Sequence, residues 1–452
     1  MWILGLPTIL AVLLFPTFWT AAVSVHSSTL LLARSHSLPS PSAGALLTEW
    51  AASLAAQSAA DVTRVAMLAA AVPAKAKPRS KGRSFVPIAP GRQILSIPNY
   101  VARARLGTPS QTLLVAIDPS NDAAWIPCSA CIGCAPKSSP SFAPTDSSTY
   151  RPVRCGSPQC AQVPGAASCP GGPGASCAFN LSYGSSTFQA VLGQDVLALA
   201  GGGAASSYTF GCLRVVTGRS VPPQGLLGFG RGPLSFLSQT KDTYGSVFSY
   251  CLPSYKSSNF SGTLRLGPAG QPKRIKTTPL LYNPHRPTLY YVDMVGIRVG
   301  GRAVAVPAWA LASFDTATGT GGTIVDAGTM FTRLSPPVYA AVRDAFRRRA
   351  RAPVSAPLGG FDTCYNVTGG MRVPSVTFAF AGGAGAAVTL PEENVMIHSS
   401  WGGVACLAMA AGPSTGVNAG LNVLASMQQQ NHRVLFDVAN GRVGFSRELC
   451  TA

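Results

Sequence analysis

The sequence Leu113-Leu-Val-Ala-Ile-Asp118 is an apolar run that ends in one aspartate, and Gly322-Thr-Ile-Val-Asp326 repeats this arrangement in the second half of the chain. A further apolar segment that ends in small residues follows each copy, at Gly225-Leu-Leu-Gly228 and at Asn422-Val-Leu-Ala425. Such self-similarity indicates a duplicated structural unit. Because each copy presents one aspartate, the repeat predicts two lobes whose carboxylates face each other across a cleft.

The predicted pair of Asp118 and Asp326 has a definite chemistry. Two carboxylates a few ångströms apart cannot both ionise cheaply, so they share one proton and titrate as a unit. The ionised member can take a proton from a water between them while the protonated member polarises a scissile carbonyl. The pattern therefore predicts amide hydrolysis in acid, without a covalent intermediate or a metal. For either aspartate alone a turn or cap residue is the simpler interpretation, and only the repeated context favours catalysis.

Short runs rich in β-branched and aromatic residues recur after Gln93 between Gly, Pro and Ser clusters, and they predict a mainly β protein. The predicted strands lie at residues 100–106, 112–117, 188–199, 208–210, 290–299, 373–380 and 433–445. Helical pattern is sparse, and Pro337–Arg351 is the clearest case. An Ala-rich stretch from Leu46 to Val72 has helical composition but contains nothing that looks catalytic.

The composition limits the classes of protein to which the chain can belong. It has 452 residues, of which 47% are hydrophobic and 11% are charged, so it can bury a large bilobal core and is neither disordered nor a collagen-like fibre. The formal net charge is +19, a balance that suggests an acidic partner. No basic and aromatic motif of a nucleic-acid reader is visible, so no nucleic acid is expected. Acidic cell-wall polysaccharide is the simpler candidate partner.

The N-terminal region has the features of an exported precursor. Residues 2–23 carry no charge and end among small residues, which predicts a signal peptide over 1–24 and leaves a signal anchor as the alternative. No later stretch has membrane-spanning length, so no membrane contact is expected after signal removal. Residues 25–85 are Ser- and Ala-rich, end in a basic run at 75–83, and are interpreted as a propeptide or linker. The expected product is a secreted, extracellular monomer.

The cysteines also fit export. An even number in an exported chain predicts disulfide bonds, whose connectivity the sequence leaves open. The cysteines are Cys128, Cys131, Cys134, Cys155, Cys160, Cys169, Cys177, Cys212, Cys251, Cys364, Cys406 and Cys450. The spacing Cys128-x-x-Cys131-x-x-Cys134 could instead hold a metal ion. However, no His falls within the following hundred residues, so disulfides are favoured and no metal is expected. Three sequons, at Asn180, Asn259 and Asn366, predict N-glycosylation.

Several motifs together resemble the pepsin-like aspartic proteases, and in particular the plant nepenthesin-like secreted branch. They are Ile117–Cys128, the cysteine-rich insert Cys131–Cys177, Ser182-Tyr183-Gly184, Gly225–Gly232, Ile324–Thr329 and Met427–Val434. The resemblance covers residues 95–452. It implies a bilobal β fold with two duplicated lobes, the N-terminal lobe with its Cys-rich insert over 86–285 and the C-terminal lobe over 286–452. It also implies a substrate cleft between the lobes that takes peptides or proteins, and no cofactor.

The resemblance assigns roles at the two aspartates and their neighbours. Asp118 and Asp326 match the catalytic pair that activates the water. Thr329 matches the hydroxyl residue that binds the outer oxygen of its aspartate, and Asn121 occupies the corresponding place in the first lobe. Either side chain can orient a carboxylate.

The resemblance also implies a flap over the cleft. Tyr183, followed by Gly184, matches the tyrosine on the hairpin that closes over bound peptide, and Trp125 matches the tryptophan that supports it. Without the resemblance, Tyr183 would be interpreted as a strand aromatic that packs on an apolar face.

The family motif Asp-Thr/Ser-Gly is intact in neither copy. Pro119 and Ala327 stand where the family has hydroxyl residues that reach across to the opposite lobe, and Ser120 and Ala425 stand where it has glycine. We expect the Cβ of Ser120 to strain its loop. We also expect the missing hydroxyls to loosen the carboxylates, and about 1 Å of misplacement can lower a rate roughly a hundredfold. Two functions stay open. One is an acid endopeptidase, which the retained aspartates favour, and the other is a catalytically impaired extracellular binding or inhibitor protein of the same fold.

Overall fold

The computed structural model describes residues 43–67, 84–134, 139–172, 174–382, 385–400 and 402–450. Within these ranges strands far outnumber helices, which confirms the prediction of a mainly β protein. The predicted signal peptide and the basic run at 75–83 lie outside the described residues.

Three of the seven predicted strands, at 100–106, 112–117 and 188–199, are present within two residues of their predicted ends. The prediction at 208–210 covers part of a longer strand, the one at 373–380 begins three residues too early, and those at 290–299 and 433–445 are each two strands. The strands are β1 Ser84–Pro90, β2 Tyr100–Leu106, β3 Gln111–Asp118, β4 Trp125–Ile132, β5 Arg151–Pro152, β6 Ala167–Ser168, β7 Ala178–Tyr183, β8 Ser186–Leu199, β9 Ala204–Thr217, β10 Leu226–Gly228, β11 Val247–Cys251, β12 Gly262–Leu266, β13 Lys276–Pro279, β14 Tyr291–Val292, β15 Met294–Val299, β16 Arg302–Ala303, β17 Thr323–Val325, β18 Thr332–Leu334, β19 Val354–Ser355, β20 Cys364–Asn366, β21 Val376–Phe380, β22 Ala387–Thr389, β23 Met396–His398, β24 Val404–Leu407, β25 Met409–Ala411, β26 Asn422–Leu424, β27 His432–Asp437 and β28 Arg442–Arg447.

The α-helices are short apart from two. They are α1 Ala43–Met67, α2 Gly91–Ile94, α3 Phe236–Gln239, α4 Lys241–Tyr244, α5 Ala308–Leu311, α6 Pro336–Arg347, α7 Glu392–Val395 and α8 Ser426–Gln429. The predicted helix at 337–351 is α6. Its two prolines occupy the first helical positions, where no intrahelical N–H bond is lost.

The two aspartates stand at matching places in a duplicated sheet. β3 ends at Asp118 and pairs in parallel with β10, and β17, which ends one residue before Asp326, pairs in parallel with β26. Each pair continues through an antiparallel neighbour, β4 or β18, to a further parallel strand, β9 or β25. The repeat predicted from the sequence is therefore a repeat of strand order that gives each lobe one aspartate.

Strands from both halves of the chain share one sheet, in the order β13-β28-β27-β11-β12-β1. Phe248 of β11 stacks on Phe436 of β27 with ring centroids 4.7 Å apart, and Tyr290 meets the ring of Phe436 at 4.5 Å. All three rings are buried. Because offset and edge-to-face aromatic contacts add to the burial of apolar surface, this cluster joins the two lobes firmly.

All twelve cysteines form disulfide bonds. The pairs are Cys128–Cys212, Cys131–Cys134, Cys155–Cys169, Cys160–Cys177, Cys251–Cys450 and Cys364–Cys406. The connectivity that the sequence left open is thus given by the structure. The three cysteines that were weighed as metal ligands, Cys128, Cys131 and Cys134, belong to two different bridges.

Helix α1 precedes the first strand and belongs to the same compact unit. It begins three residues before the Ala-rich stretch of 46–72 and ends at Met67, within that stretch, and its alanines favour helix formation. Leu54, Ser58, Asp61 and Val65 are buried, and their spacing of three or four residues places them on one face. That face of α1 packs against the C-terminal half of the chain.

Candidate active site

The first carboxylate is held by its own loop. Asp118 is fully buried, and Asn121 Nδ2 donates to its Oδ2 at 2.8 Å. The backbone N–H and the hydroxyl of Ser120 both donate to Oδ1 at 2.9 Å. The strain expected at Ser120 is wrong, because its φ is not in the left-handed region and its hydroxyl supplies a further donor to the carboxylate.

The second carboxylate is held in a similar way. The Gly328 N–H donates to Asp326 Oδ1 at 2.9 Å, and the N–H and hydroxyl of Thr329 donate to Oδ2 at 3.0 and 2.7 Å. A Cβ at Gly328 would overlap Arg64 and approach the Asp118 carboxylate. With Arg64 in this position, a side chain at residue 328 would therefore require the guanidinium to shift.

A cation from α1 contacts both carboxylates. Arg64 Nη2 lies 2.7 Å from each oxygen of Asp118 and donates to Ser120 Oγ at 2.7 Å. Its Nε lies 3.5 Å from Asp326 Oδ2. Burial alone would lower the pKa of Arg64, but the neighbouring Asp118 carboxylate helps to raise that pKa well above its usual value. Arg64 is therefore a permanent cation between the two aspartates.

Polar side chains fasten α1 to the segment that follows Asp326. Asp61 accepts hydrogen bonds from the N–H groups of Met330 and Phe331 at 3.1 and 2.8 Å. Arg333 Nη2 donates to the carbonyl oxygen and the hydroxyl of Ser58, both at 2.7 Å. Burial raises the pKa of Asp61 to about 6, against the lowering effect of Arg333 and the two N–H groups.

Two apolar side chains of α1 are fully buried in separate clusters of the second lobe. Leu54 packs in a cluster that includes Phe361, and Val65 packs in one that includes Tyr291. The carbonyl oxygen of Val65 accepts a hydrogen bond from Asn418 Nδ2. The helix therefore lies along the second lobe with polar and apolar anchors on both sides of Arg64.

A hairpin of the first lobe lies over this site. β7 ends at Tyr183, and the chain turns at Gly184, whose φ is +56°, before β8 begins at Ser186. The Trp125 ring meets the Tyr183 ring edge-on with centroids 5.1 Å apart. Tyr183 and Gly184 thus stand at the end of a hairpin, with the Trp125 ring packed against the Tyr183 ring.

The Tyr183 hydroxyl reaches the first carboxylate. It donates to Asp118 Oδ2 at 3.2 Å and accepts from Asn99 Nδ2 at 3.1 Å. The Arg64 guanidinium carbon lies 5.1 Å from the centre of the Tyr183 ring, within the range of a cation–π interaction. The flap residue, the helix cation and the carboxylate thus form one buried cluster.

Comparison with known proteins identifies the family. Two family models match, Xylanase inhibitor N-terminal over residues 100–268 and Xylanase inhibitor C-terminal over residues 289–447. Aspartyl protease 25 of Oryza sativa subsp. japonica is 50% identical over 393 residues, which cover 83% of this chain and 86% of that protein. Aspartyl protease AED3 of Arabidopsis thaliana is 47% identical, over 86% of this chain and 84% of its own length. The chain belongs to the plant pepsin-like aspartic proteases.

Further comparisons support this assignment. Aspartic proteinase nepenthesin-2 of Nepenthes gracilis is 33% identical over 78% of each chain, which confirms the resemblance to the nepenthesin-like branch. Among solved structures, edgp matches with a TM-score of 0.66 at 22% identity, over 83% of this chain and 97% of its own. Soybean Basic 7S globulin matches with a TM-score of 0.62 at 23% identity, over 81% and 96%. These two structures support the bilobal fold, and the named proteases support an aspartic endopeptidase that acts on peptides or proteins.

In this aspartic protease a glutamine supports the loop that lacks its hydroxyl at Ala327. Gln429 Nε2 donates to the carbonyl oxygens of Asp326 and Leu424 at 3.1 and 2.7 Å. Its Oε1 accepts a hydrogen bond from the Tyr250 hydroxyl, which belongs to β11 of the shared sheet. The second carboxylate loop is therefore tied to the sheet that joins the lobes.

Three residues that contact the site were missed in the sequence. Asn99 binds the flap hydroxyl, Asp122 binds two groups outside its own loop, and Arg64 lies in the helix in which nothing catalytic was seen. A signal for Arg64 was present, because Ser58, Asp61 and Arg64 recur every third residue in a stretch otherwise rich in alanine.

The three sequon asparagines, Asn180, Asn259 and Asn366, are exposed. Across the part of the chain that the structure describes, no helix has both the length and the apolar character needed to cross a membrane.

Proposed function

We propose that the chain is the precursor of an acid endopeptidase of the plant extracellular space, in which Asp118 and Asp326 activate the attacking water. The observation that carries this proposal is the convergence of both carboxylates on Arg64, at 2.7 and 3.5 Å. Two buried carboxylates that share one counter-ion face the same space, and we expect a water to bind between them once that counter-ion leaves. The relatives named aspartyl proteases support the same chemistry.

In the proposed reaction the ionised aspartate takes a proton from the water, whose oxygen attacks the carbonyl carbon of the peptide bond. The other aspartate gives its proton to the carbonyl oxygen, so a neutral tetrahedral diol forms. The aspartate that took the proton of the water then gives it to the nitrogen while the other aspartate takes a proton from a diol hydroxyl, so the C–N bond breaks, the amine and the carboxylic acid are released, and both aspartates return to their starting protonation. Asn121 and Thr329 orient the carboxylates, and Tyr183 on the flap, with Trp125 behind it, covers the bound peptide. The mechanism uses no cofactor and no metal.

The same proposal makes residues 25–85 a propeptide that keeps the enzyme latent. Arg64 occupies the oxygens that must hold the water, and the Asp61 and Ser58 contacts keep the helix in place. Substrate cannot reach the aspartates until α1 leaves. Proteolytic removal of the segment then gives the mature enzyme.

The proposal also includes the division of the chain and the fate of the secreted protein. Residues 1–24 are the signal peptide, and the lobes span 86–285 and 286–452. The mature enzyme is a monomer, carries glycans on its three exposed sequons and is retained in the wall by acidic polysaccharide, for which its positive charge is suited.

A second candidate is a binding or inhibitor protein of the same fold. It is favoured by Pro119 and Ala327, which remove hydroxyls from both motifs, and by the match to family models named for xylanase inhibitors. Such a protein would keep the substrate cleft but would hydrolyse peptides slowly or not at all.

Cleavage of a broad peptide library separates these candidates. The full chain is incubated in acid until its rate is constant, with and without pepstatin, beside Asp118→Asn. Asp195→Asn is the matched control, because Asp195 is another buried carboxylate of the first lobe. An endopeptidase gives pepstatin-sensitive cleavage that is abolished in Asp118→Asn and retained in Asp195→Asn. Absence of cleavage by folded, disulfide-bonded protein from which the propeptide has been removed supports the inhibitor candidate.

A further inference from the structure

A third buried aspartate, Asp122, lies in the first carboxylate loop and has no part in the proposed reaction. Its Oδ1 accepts a hydrogen bond from the Gly232 N–H at 2.6 Å, and its Oδ2 accepts one from the Thr288 hydroxyl. The side chain is 6% exposed, so these bonds do not compete with bulk water. Burial of a carboxylate costs free energy that its hydrogen-bond donors must offset. The presence of two specific donors therefore points to a structural role for Asp122.

Alternating glycines allow a second loop to approach this carboxylate. A Cβ at Gly230 would overlap the Asp122 carboxylate oxygen, and a Cβ at Gly232 would overlap its carboxyl carbon. A Cβ at Gly228 would meet the carbonyl oxygen of Asn121. The motif Gly228-Phe-Gly-Arg-Gly232 is therefore a close-approach surface for the Asp118 loop.

Backbone hydrogen bonds join the two loops further. The Phe229 N–H donates to the carbonyl oxygen of Asp118 at 2.7 Å, and the Gly230 N–H donates to that of Asn121 at 2.7 Å. Asp122 thus completes a rigid block that includes the first catalytic loop.

Thr288 connects this block to the second catalytic loop. It stands two residues before Tyr290, whose carbonyl oxygen accepts the N–H of Val325 at 3.1 Å. Val325 immediately precedes Asp326. The Tyr290 hydroxyl also returns to the first lobe, where it donates to the Phe229 carbonyl oxygen at 2.6 Å. A short, buried set of bonds therefore runs from one aspartate to the other.

We propose that Asp122 and Thr288 form a lock between the lobes that sets the spacing of Asp118 and Asp326. This lock takes the place of the cross-lobe hydroxyls that the altered motifs lack. The inference rests on the proposed endopeptidase function. Asp122 and Thr288 are positioning residues, because they act on the reacting groups through the loops and not by contact with substrate.

The test compares four variants of the full chain. Thr288→Val removes the hydroxyl and keeps the shape, Asp122→Asn removes the carboxylate, and Thr288→Ser restores a hydroxyl. Asp195→Asn is the matched control, since that carboxylate is 1% exposed and accepts from the Val196 N–H at 2.8 Å. Each protein is activated in acid and assayed for kcat and KM, and hydrogen exchange is measured on the unactivated chain over residues 323–331.

Thr288→Val and Asp122→Asn should lower kcat about 10- to 100-fold with KM changed less than about threefold, since misplacement by about 1 Å can lower a rate roughly a hundredfold. Thr288→Ser should recover to within about threefold of wild type. Hydrogen exchange over residues 323–331 should become faster in both Thr288→Val and Asp122→Asn. Asp122 lies in the first lobe and residues 323–331 in the second, so the effect of Asp122→Asn would report coupling between the lobes. Asp195→Asn should move neither readout.

Two results would overturn the lock. One is faster exchange confined to residues 118–123 and 228–232, which would make Asp122 a local support only. The other is an equal loss of kcat in Asp195→Asn, which would make the effect one of general stability. If the wild-type chain cleaves no peptide, the proposed function fails, and the exchange over 323–331 alone then upholds or overturns the lock.

Discussion

Replacing Arg64 with methionine should open the cleft of the full chain. Methionine keeps an unbranched apolar stem but leaves Asp118 and Asp326 without their shared cation, whose Nη2 lies 2.7 Å from both Asp118 oxygens. Removing one partner of a buried ion pair costs about 3–5 kcal/mol. At about 1.4 kcal/mol per factor of ten, docking of α1 should weaken by roughly a hundredfold or more.

The effect can be measured as access to the cleft before any processing occurs. Pepstatin binding to freshly purified full chain is followed by calorimetry, and initial rates on a quenched peptide are followed while gels show the propeptide intact. Arg64→Met should bind pepstatin and cleave from the first time point, whereas wild type should show a lag that ends as α1 is removed. Binding reports access even if turnover is slow.

The neighbouring Val62→Ala is the control, because Val62 is 38% exposed and lies outside the buried face of the helix. It should keep the wild-type lag. The reasoning is refuted if Arg64→Met shows the same lag and the same weak pepstatin binding as wild type. It is equally refuted if wild type is fully accessible with its propeptide intact, since α1 would then not guard the aspartates.

Three further outcomes follow from buried groups elsewhere. Docking of α1 should weaken as the pH rises through about 6, because the pKa of Asp61 is about 6 in the docked helix against an ordinary value of 3.8. In a non-cleaving Asp118→Asn background, hydrogen exchange of α1 should show up to about 3 kcal/mol of docking free energy lost between pH 3.5 and 7, and a further Asp61→Ala change should remove this part of the pH dependence. Glu448→Gln should destabilise the fold by about 1 kcal/mol at pH 6 and by less as the pH falls below 4.5. The reason is that hydrogen bonds from the buried Arg433 guanidinium lower the pKa of Glu448 in the folded protein. Urea unfolding at pH 6 and at pH 3 measures the difference. Gly230→Ala should lower unfolding free energy by about 1–3 kcal/mol through overlap with the lock carboxylate, whereas Gly296→Ala, where a Cβ meets nothing within 4 Å, should change it far less.

The sequence predicted those parts of the site that repeat or that lie close together along the chain. Asp118 and Asp326 were singled out because each ends the same apolar pattern, whereas Asn121 was assigned through the resemblance to the aspartic proteases, as the counterpart of Thr329 in the first lobe. Asp122 could not be recognised in this way, since its partner Thr288 is 166 residues further along. Arg64 was missed for a related reason, because its partner Asp118 is 54 residues further along, so the spacing of Ser58, Asp61 and Arg64 did not show what the cation binds. The expectation of strain at Ser120 was wrong, because the φ of Ser120 lies outside the left-handed region and its hydroxyl donates to the Asp118 carboxylate. Neither feature can be read from the sequence.

The altered motifs therefore do not by themselves indicate a protein without activity. The hydroxyls missing at positions 119 and 327 would have tied each aspartate loop to the opposite lobe. In their place Gln429 ties the carbonyl oxygen of Asp326 to the shared sheet, and Asp122 ties the Asp118 loop to Thr288. A buried group with all its donors supplied holds a loop at least as firmly as one hydroxyl, because a lost partner there leaves an unsatisfied polar atom. Residues that are distant in the sequence therefore fix the positions of the two carboxylates. On this argument the lock sets those positions, and the residue that follows each aspartate is not needed for it.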